Sequence, residues 1–298
     1  MPPTAHLNSL EKSTMYLNAI MELFLKNSLT APLETASRQI DFSGGDEVKI
    51  LMIKTTGLGD YQRDVGYPQG AIEAKWETLK LATDRGMKIL LDRIDNDETL
   101  ALTMGHAVDT FTKTQMVPEL DAFRFSKYAN GAGEKANITF TSSQAILPEI
   151  DRARVHLNKK NVPLDGRYLF VNQDLEWKLS NELQRMWSNE AAINTMVTSY
   201  NGMRIVYVPD SRFQTLIQLR TGDDMEFGYT VDPSAKKINF LLLYPGSVVQ
   251  AAKTNKGKFI SKDEPATMVD SDIFMFRIFH DAFVIEPLKD GVYASIEE

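Results

Sequence analysis

Two strand-like runs facing each other across a long polar turn are the feature that most constrains this chain. Val48-Lys49-Ile50-Leu51-Met52-Ile53-Lys54 is rich in Val and Ile and reads as a strand. The stretch Thr55 to Gly70 that follows holds four glycines and one proline, as an extended turn requires. Ala74 to Arg85 then returns, with Trp76, Leu79 and Leu81 alternating roughly with charged side chains. The pattern predicts one long two-stranded hairpin, about ten residues on a side, and two strands alone bury too little surface to be stable in water. The hairpin needs a partner, either the body of its own subunit or a neighbouring one, and the residues do not choose between them.

The rest of the chain is able to supply a body. Its 298 residues suffice for one large core or two modest ones, and 43 % apolar with 24 % charged residues is the balance of a folded domain. With 33 basic against 40 acidic side chains the net charge is −7, so the average surface repels polyanions and gives no electrostatic footprint for nucleic acid. There are no cysteines, which removes disulfides, thiolate zinc sites and cysteine nucleophiles together and fits a reducing cytoplasm. Ile20 to Leu25 is interrupted by Glu22 and is no signal peptide, and no run of eighteen apolar residues occurs, so a soluble protein without membrane contact is expected.

Leu10, Leu17, Ile20, Met21, Phe24 and Leu25 recur at helical spacing and predict a docking helix, followed by a linker over Ser37 to Glu47. Beyond the capping-rich Asp92 to Thr99, the apolar positions Leu100, Met104, Ala107, Val108 and Phe111 open a helix of roughly thirty residues. It is expected to kink or break near Pro118, to resume with Leu120, Phe123 and Tyr128, and to end at Asn130-Gly131. An α/β unit follows: a helix from Ser142 to Lys160, the strand Tyr168 to Val171, and helices carrying Trp177, Leu183 and Trp187. Met203 to Val208 and Ile238 to Tyr244 have the continuous apolar character of strands buried on both faces, with an exposed loop, Gln218 to Lys237, between them. Ile273 to Ile285 is a long sheet-forming strand, and Gly291 to Ser295 a short partner strand.

Catalytic chemistry is not legible anywhere. None of the glycine-rich stretches ends in the Gly-Lys-Ser/Thr that cradles a phosphate, no nucleophile elbow occurs, and His6, His106, His156 and His280 show no metal-ligand spacing. Asp92, Asp95, Asp97 and Glu98 lack the glycine and the final Glu of a calcium loop, and Asp223-Asp224 reads as solvated. His106, beside the apolar face of the long helix, reads as a buried, satisfied imidazole. No catalytic residue, cofactor or metal is predicted. The charged residues of the hairpin region, Arg63, Asp64, Glu73, Lys75, Lys80, Asp84 and Arg85, serve either a solvated face or matched contacts with neighbouring subunits.

The order of these elements, an N-terminal arm, a long hairpin, a long helix, a central α/β unit and terminal strands, resembles the Hong Kong 97-type major capsid proteins of tailed bacteriophages. The resemblance is carried by Thr83-Asp84-Arg85-Gly86-Met87-Lys88, by Val117-Pro118-Glu119-Leu120-Asp121 and by Arg277 to Val284. Tyr168 to Val171, Gly202 to Ser211 and Asn239 to Pro245 support it in the order such proteins present them. It implies an α+β fold divided into an arm (1–47), an extended hairpin loop (48–95), the spine helix of a peripheral domain (96–136), an axial domain (137–248) and peripheral strands (249–298).

The same resemblance implies a structural, non-enzymatic subunit whose copies form pentamers and hexamers of an icosahedral shell. The charged hairpin residues named above are then candidate inter-subunit contacts. Further implied partners are a separate scaffolding protein, a portal, a decoration protein and packaged DNA without sequence-specific contact, with assembly in the bacterial cytoplasm and residence in the virion. Lys54 and Lys75 lie in the hairpin, but no motif supports a covalent crosslink. The rival readings are an encapsulin-like nanocompartment shell and, from a different class, a soluble α/β enzyme with an unidentified site.

Overall fold

Two sheets of different kinds are joined by one long helix. The computed structural model describes residues 9–34, 41–42, 47–61, 63–64, 66–67, 70–92, 102–186, 198–260 and 271–298. The chain opens with helix α1 (Ser9–Asn27), and strand β1 (Asp41–Phe42) pairs antiparallel with β2 (Glu47–Thr55). The linker expected over Ser37 to Glu47 thus contains a short strand. The other positions of that stretch up to Asp46, like those of the capping stretch after Asp92 and Trp187, lie outside the described residues.

The hairpin is real, with β2 and β3 (Ile72–Lys80) paired from Glu47 opposite Lys80 to Thr55 opposite Ile72. Its return strand is shorter than the sequence suggests. The chain breaks at Leu81-Ala82, and the following strand β4 (Thr83–Asp92) leaves the hairpin to join another sheet. Leu81 is buried with Val48 and Ile50 at the hairpin base, and Ala82 donates its N–H to Asp281 Oδ2 (3.1 Å), which pins the exchange of partners.

α2 (Leu102–Phe111) runs through a π-helical turn, Thr112–Met116, into α3 (Val117–Gly131), a continuous helix of thirty residues. The irregularity expected at Pro118 takes the form of this turn, because proline offers no N–H to the helical ladder and the wider turn absorbs the mismatch. Strand β5 (Glu134–Asn137), helix α4 (Ile146–Lys159), β6 (Tyr168–Asn172), helix α5 (Glu176–Met186), β7 (Ser199–Tyr200) and β8 (Met203–Val208) follow. The supposed loop from Gln218 to Lys237 contains a small antiparallel pair, β9 (Ile217–Leu219) and β10 (Tyr229–Val231). Three residues per strand are too few to leave a periodic signal.

The last strands are β11 (Ile238–Leu243), β12 (Val248–Ile260), β13 (Ser271–Val284) and β14 (Val292–Ile296). β14 is no partner of β13. A turn of 3-10 helix, Glu286–Gly291, carries the chain back, so that β14 lies between β5 and β11. Gly291 is needed there: a Cβ at this position would sit 2.0 Å from Ser247 Oγ.

The six-stranded sheet has the order β5-β14-β11-β6-β8-β7. β11 is buried throughout, as its unbroken apolar run predicts: Phe240 and Leu242 point to α4 and α5, Leu241 and Leu243 to α3. β8 is only half buried, since Arg204 is exposed. The second sheet, β12-β13-β4, packs Phe274, Phe276 and Ile278 against Ile20 and Phe24 of α1 and against Val108, Met116, Val117 and Leu120 of the long helix. One half of that helix therefore builds the core of one sheet and the other half that of the other.

Candidate functional site

With no catalytic cluster in the sequence, the site of interest is the surface offered to other molecules. Strand alternation gives the hairpin two faces. Val48 and Ile50 are buried at its base with the partly buried Leu79 against them, and Glu73, Lys75 and Glu77 extend that face outward. The opposite face of β3 carries Ile72, 76 % exposed, Ala74 and Trp76, 53 % exposed. Leu58, Tyr61 and Tyr67 on the connecting loop are exposed too, and the two tyrosine rings lie 5.0 Å apart. Apolar side chains bare on a projecting hairpin mark an interaction surface. Ile72 and Trp76 are not among the residues expected at contacts, although the alternation of apolar and charged residues from Ile72 to Glu77 carries the signal.

The predicted contact residues fall into two groups. Arg63, Asp64, Glu73 and Lys75 are exposed on the hairpin and its loop, and Lys80 ends β3. Asp84 and Arg85 lie instead on β4 and are engaged within the chain. Asp84 pairs with Arg277, whose hydrogen bonds hold its carboxyl below the ordinary carboxylate range. Arg85 forms a two-point pair with Glu119 of the long helix (2.6 and 2.9 Å) and donates to the carbonyls of Arg220 and Gly228 (2.6 and 3.1 Å). One guanidinium thus ties β4, the long helix and the β9-β10 turn together, which its planar fork of donors suits.

Behind β4 lies a cavity of about 390 Å³ between that strand, the long helix and the β9-β10 turn. Its walls are apolar, with Met87, Phe111, Met116, Phe276 and Ile278, and Phe227 lines it while remaining 71 % exposed. His280 reaches the same space from β13. Its ring is 1 % exposed, neither nitrogen has a partner among the described residues, and Phe123 packs edge-on at 5.0 Å. Burial first, and then the nearby Arg124, Arg85 and Lys127, push its pKa down to about 3. Among the described histidines it is therefore His280 that is buried, whereas His106 is exposed, contrary to expectation.

A third polar cluster anchors the N-terminal segment. Asp121, fully buried on α3, accepts hydrogen bonds from Ser28 Oγ (2.7 Å), Leu29 N–H (3.0 Å) and Thr30 Oγ1 (2.8 Å). Arg124 donates to Thr30 Oγ1 and to Glu34 (both 2.9 Å) and lies 5.1 Å over the Phe24 ring. This places the exit of α1 firmly on the long helix. Among the described residues no His/Cys/Asp/Glu group could hold a metal, and no helix is long and apolar enough to cross a membrane.

No protein-family profile matches the chain, and neither does any curated protein sequence. Solved structures do match. The capsid of cyanophage P-SCSP1u superposes with a TM-score of 0.59 at 12 % identity, over 86 % of this chain and 85 % of that one. The mature capsid of bacteriophage PhiM1 gives 0.55 at 12 % identity, over 85 % and 82 %. The fold is that of the Hong Kong 97-type capsid proteins. A virus-like particle from Pyrococcus furiosus shares it, with a TM-score of 0.52 at 12 % identity over 94 % of this chain and 96 % of that one.

Proposed function

We propose that this chain is a major capsid subunit that self-assembles into the icosahedral head around double-stranded phage DNA. The observation that carries the reading is the hairpin: on a fold otherwise provided with two cores, nine-residue strands project with Ile72 and Trp76 bare. A two-stranded ribbon gains stability by lying on another surface, and a projection that docks on a different face of an identical subunit makes a head-to-tail contact that closes into rings. The arm, hairpin, spine, axial and peripheral division belongs to this reading, with residues 134–137 and 292–296 joining the axial sheet because they pair there.

The role is structural. Arg85 and Glu119, the charged groups at the cavity, hold each other, which leaves that space without a free acid or base from this pair. On this reading pentamers and hexamers of the chain work with a scaffolding protein, a portal and a decoration protein. The net charge of −7 suits a container that holds DNA without tight or sequence-specific contact. Residence in the virion after assembly in the bacterial cytoplasm follows. The second reading is an encapsulin-like shell around enzyme cargo; the virus-like particle from Pyrococcus furiosus shares the fold but superposes less well than the two phage capsids.

Size-exclusion chromatography with negative-stain electron microscopy, on the protein alone and with a candidate scaffolding partner, tests the proposal. Capsomers or closed shells are expected. A persistent monomer under both conditions would contradict it.

A further inference from the structure

Behind β4 an imidazole without partners meets an apolar cavity. Strand alternation puts Phe274, Phe276, Ile278 and His280 on one face of β13, the face turned to the long helix. The first three fill the core, and the imidazole takes the next place in that apolar row, at the cavity wall. Neither of its nitrogens has a partner among the described residues, although the ring is 1 % exposed. The charged neighbours of the ring are engaged elsewhere: Arg85 with Glu119, Arg124 with Glu34 (2.9 Å) and Lys127 with Asp281 (3.5 Å). Buried polar groups are nearly always hydrogen-bonded, so an orphaned one on the wall of a cavity points to something that fills the space. An apolar pocket with a polar group aimed into it is also the usual form of a small-molecule site.

We propose that this cavity binds a neutral small molecule with an apolar, ring-containing body and a single hydroxyl, which hydrogen-bonds to His280. Size sets the body. A dry apolar cavity of roughly 150 Å³ takes one benzene, so the cavity of about 390 Å³ has room for two fused rings. The wall sets its character: Phe111, Phe227 and Phe276 offer aromatic rings, and Met87 and Met116 supply thioethers that adapt to an aromatic guest. The imidazole sets the polar group. Burial keeps it neutral, so it offers one N–H and one bare nitrogen, and a hydroxyl can answer either. A charged ligand is disfavoured, because the cations near the ring already have their carboxylates and an added charge would be buried without a partner. Phe227, on the β9-β10 turn, and the exposed Gln115 of the π turn mark the mouth of the cavity. Bound there, the molecule adds to the joint that Arg85 makes between β4, the long helix and the β9-β10 turn. The inference is independent of self-assembly.

2-Naphthol and 2-methylnaphthalene have nearly the same size and differ in one group, hydroxyl against methyl. Calorimetric titration of the full chain with each tests the site. One 2-naphthol per chain is expected, bound roughly tenfold more tightly than 2-methylnaphthalene, the effect of one net hydrogen bond. His280→Leu should bind both compounds with about equal affinity, since only the hydrogen bond is lost. Met87→Trp, a change at a side chain 41 % exposed, fills the cavity and should abolish binding of both. The wild-type protein supplies a reading that needs no variant: in a histidine-labelled sample, the ring-nitrogen resonances of His280 should move to hydrogen-bonded positions with 2-naphthol and not with 2-methylnaphthalene. Absence of 2-naphthol binding, equal affinities of the wild type for the two compounds, or unmoved His280 resonances would overturn the inference. So would a preference for the hydroxyl that survives His280→Leu, or binding unchanged in Met87→Trp. Each of these results leaves the shell reading intact.

Discussion

His280 carries the most informative single-residue consequence of the fold. Its pKa of about 3 lies below the ordinary 6.5, so the folded state holds the imidazole neutral while the unfolded chain takes up a proton below pH 6.5. Stability is then unaffected by this group above pH 6.5, falls as pH drops below it, and stops falling near pH 3. On the order of 2 kcal/mol is lost between pH 7 and pH 5 through His280 alone. Urea unfolding of the subunit should show that loss, and His280→Leu should remove most of it; an unchanged pH dependence in the variant would contradict the assignment. Which histidine would be buried was not legible. His106 sits beside apolar neighbours on a helix that turns that position outward, whereas His280 sits in a strand whose cover comes from Phe123, more than one hundred and fifty positions away in the chain.

At the scale of elements, local pattern served where the element is self-contained. β11 reads correctly because six successive apolar or amide positions are buried on both faces, and the long helix because its apolar rows persist across Pro118. The misreadings occur where a strand changes partners. Ala74 to Arg85 looks like one return strand, yet β3 pairs with β2 and β4 pairs with β13, which lies nearly two hundred residues away. The same holds for β14, whose partners β5 and β11 are chosen by the turn before it. The joint between α1 and the long helix is likewise invisible in local pattern, since Asp121 meets Ser28 and Thr30 across more than ninety residues. Asp121→Ala should cost about 3 kcal/mol in chemical denaturation, because it leaves the buried hydroxyls of Ser28 and Thr30 and the Leu29 N–H without their acceptor. A loss below about 1 kcal/mol would show that the cluster does not hold α1 in place.

The whole molecule combines a well-filled body with two unfilled features, a hairpin with bare apolar residues and an apolar cavity at a sheet edge. The order of elements makes the body recognisable from sequence, because an N-terminal helix, a hairpin, a long helix and terminal strands follow one another as in the Hong Kong 97-type fold. The surfaces were less legible: charge drew attention to Asp84 and Arg85, which the fold uses internally, and away from Ile72 and Trp76. Burial decides that distinction, and burial depends on which strand leaves the hairpin. A cryo-electron microscopy reconstruction of the assembled protein shows directly whether another copy of the chain completes the hairpin. The expected result is a closed shell of five- and six-fold capsomers in which residues 47–80 lie across a neighbouring subunit. A hairpin folded back onto its own body, or a protein that forms no shell, would contradict it.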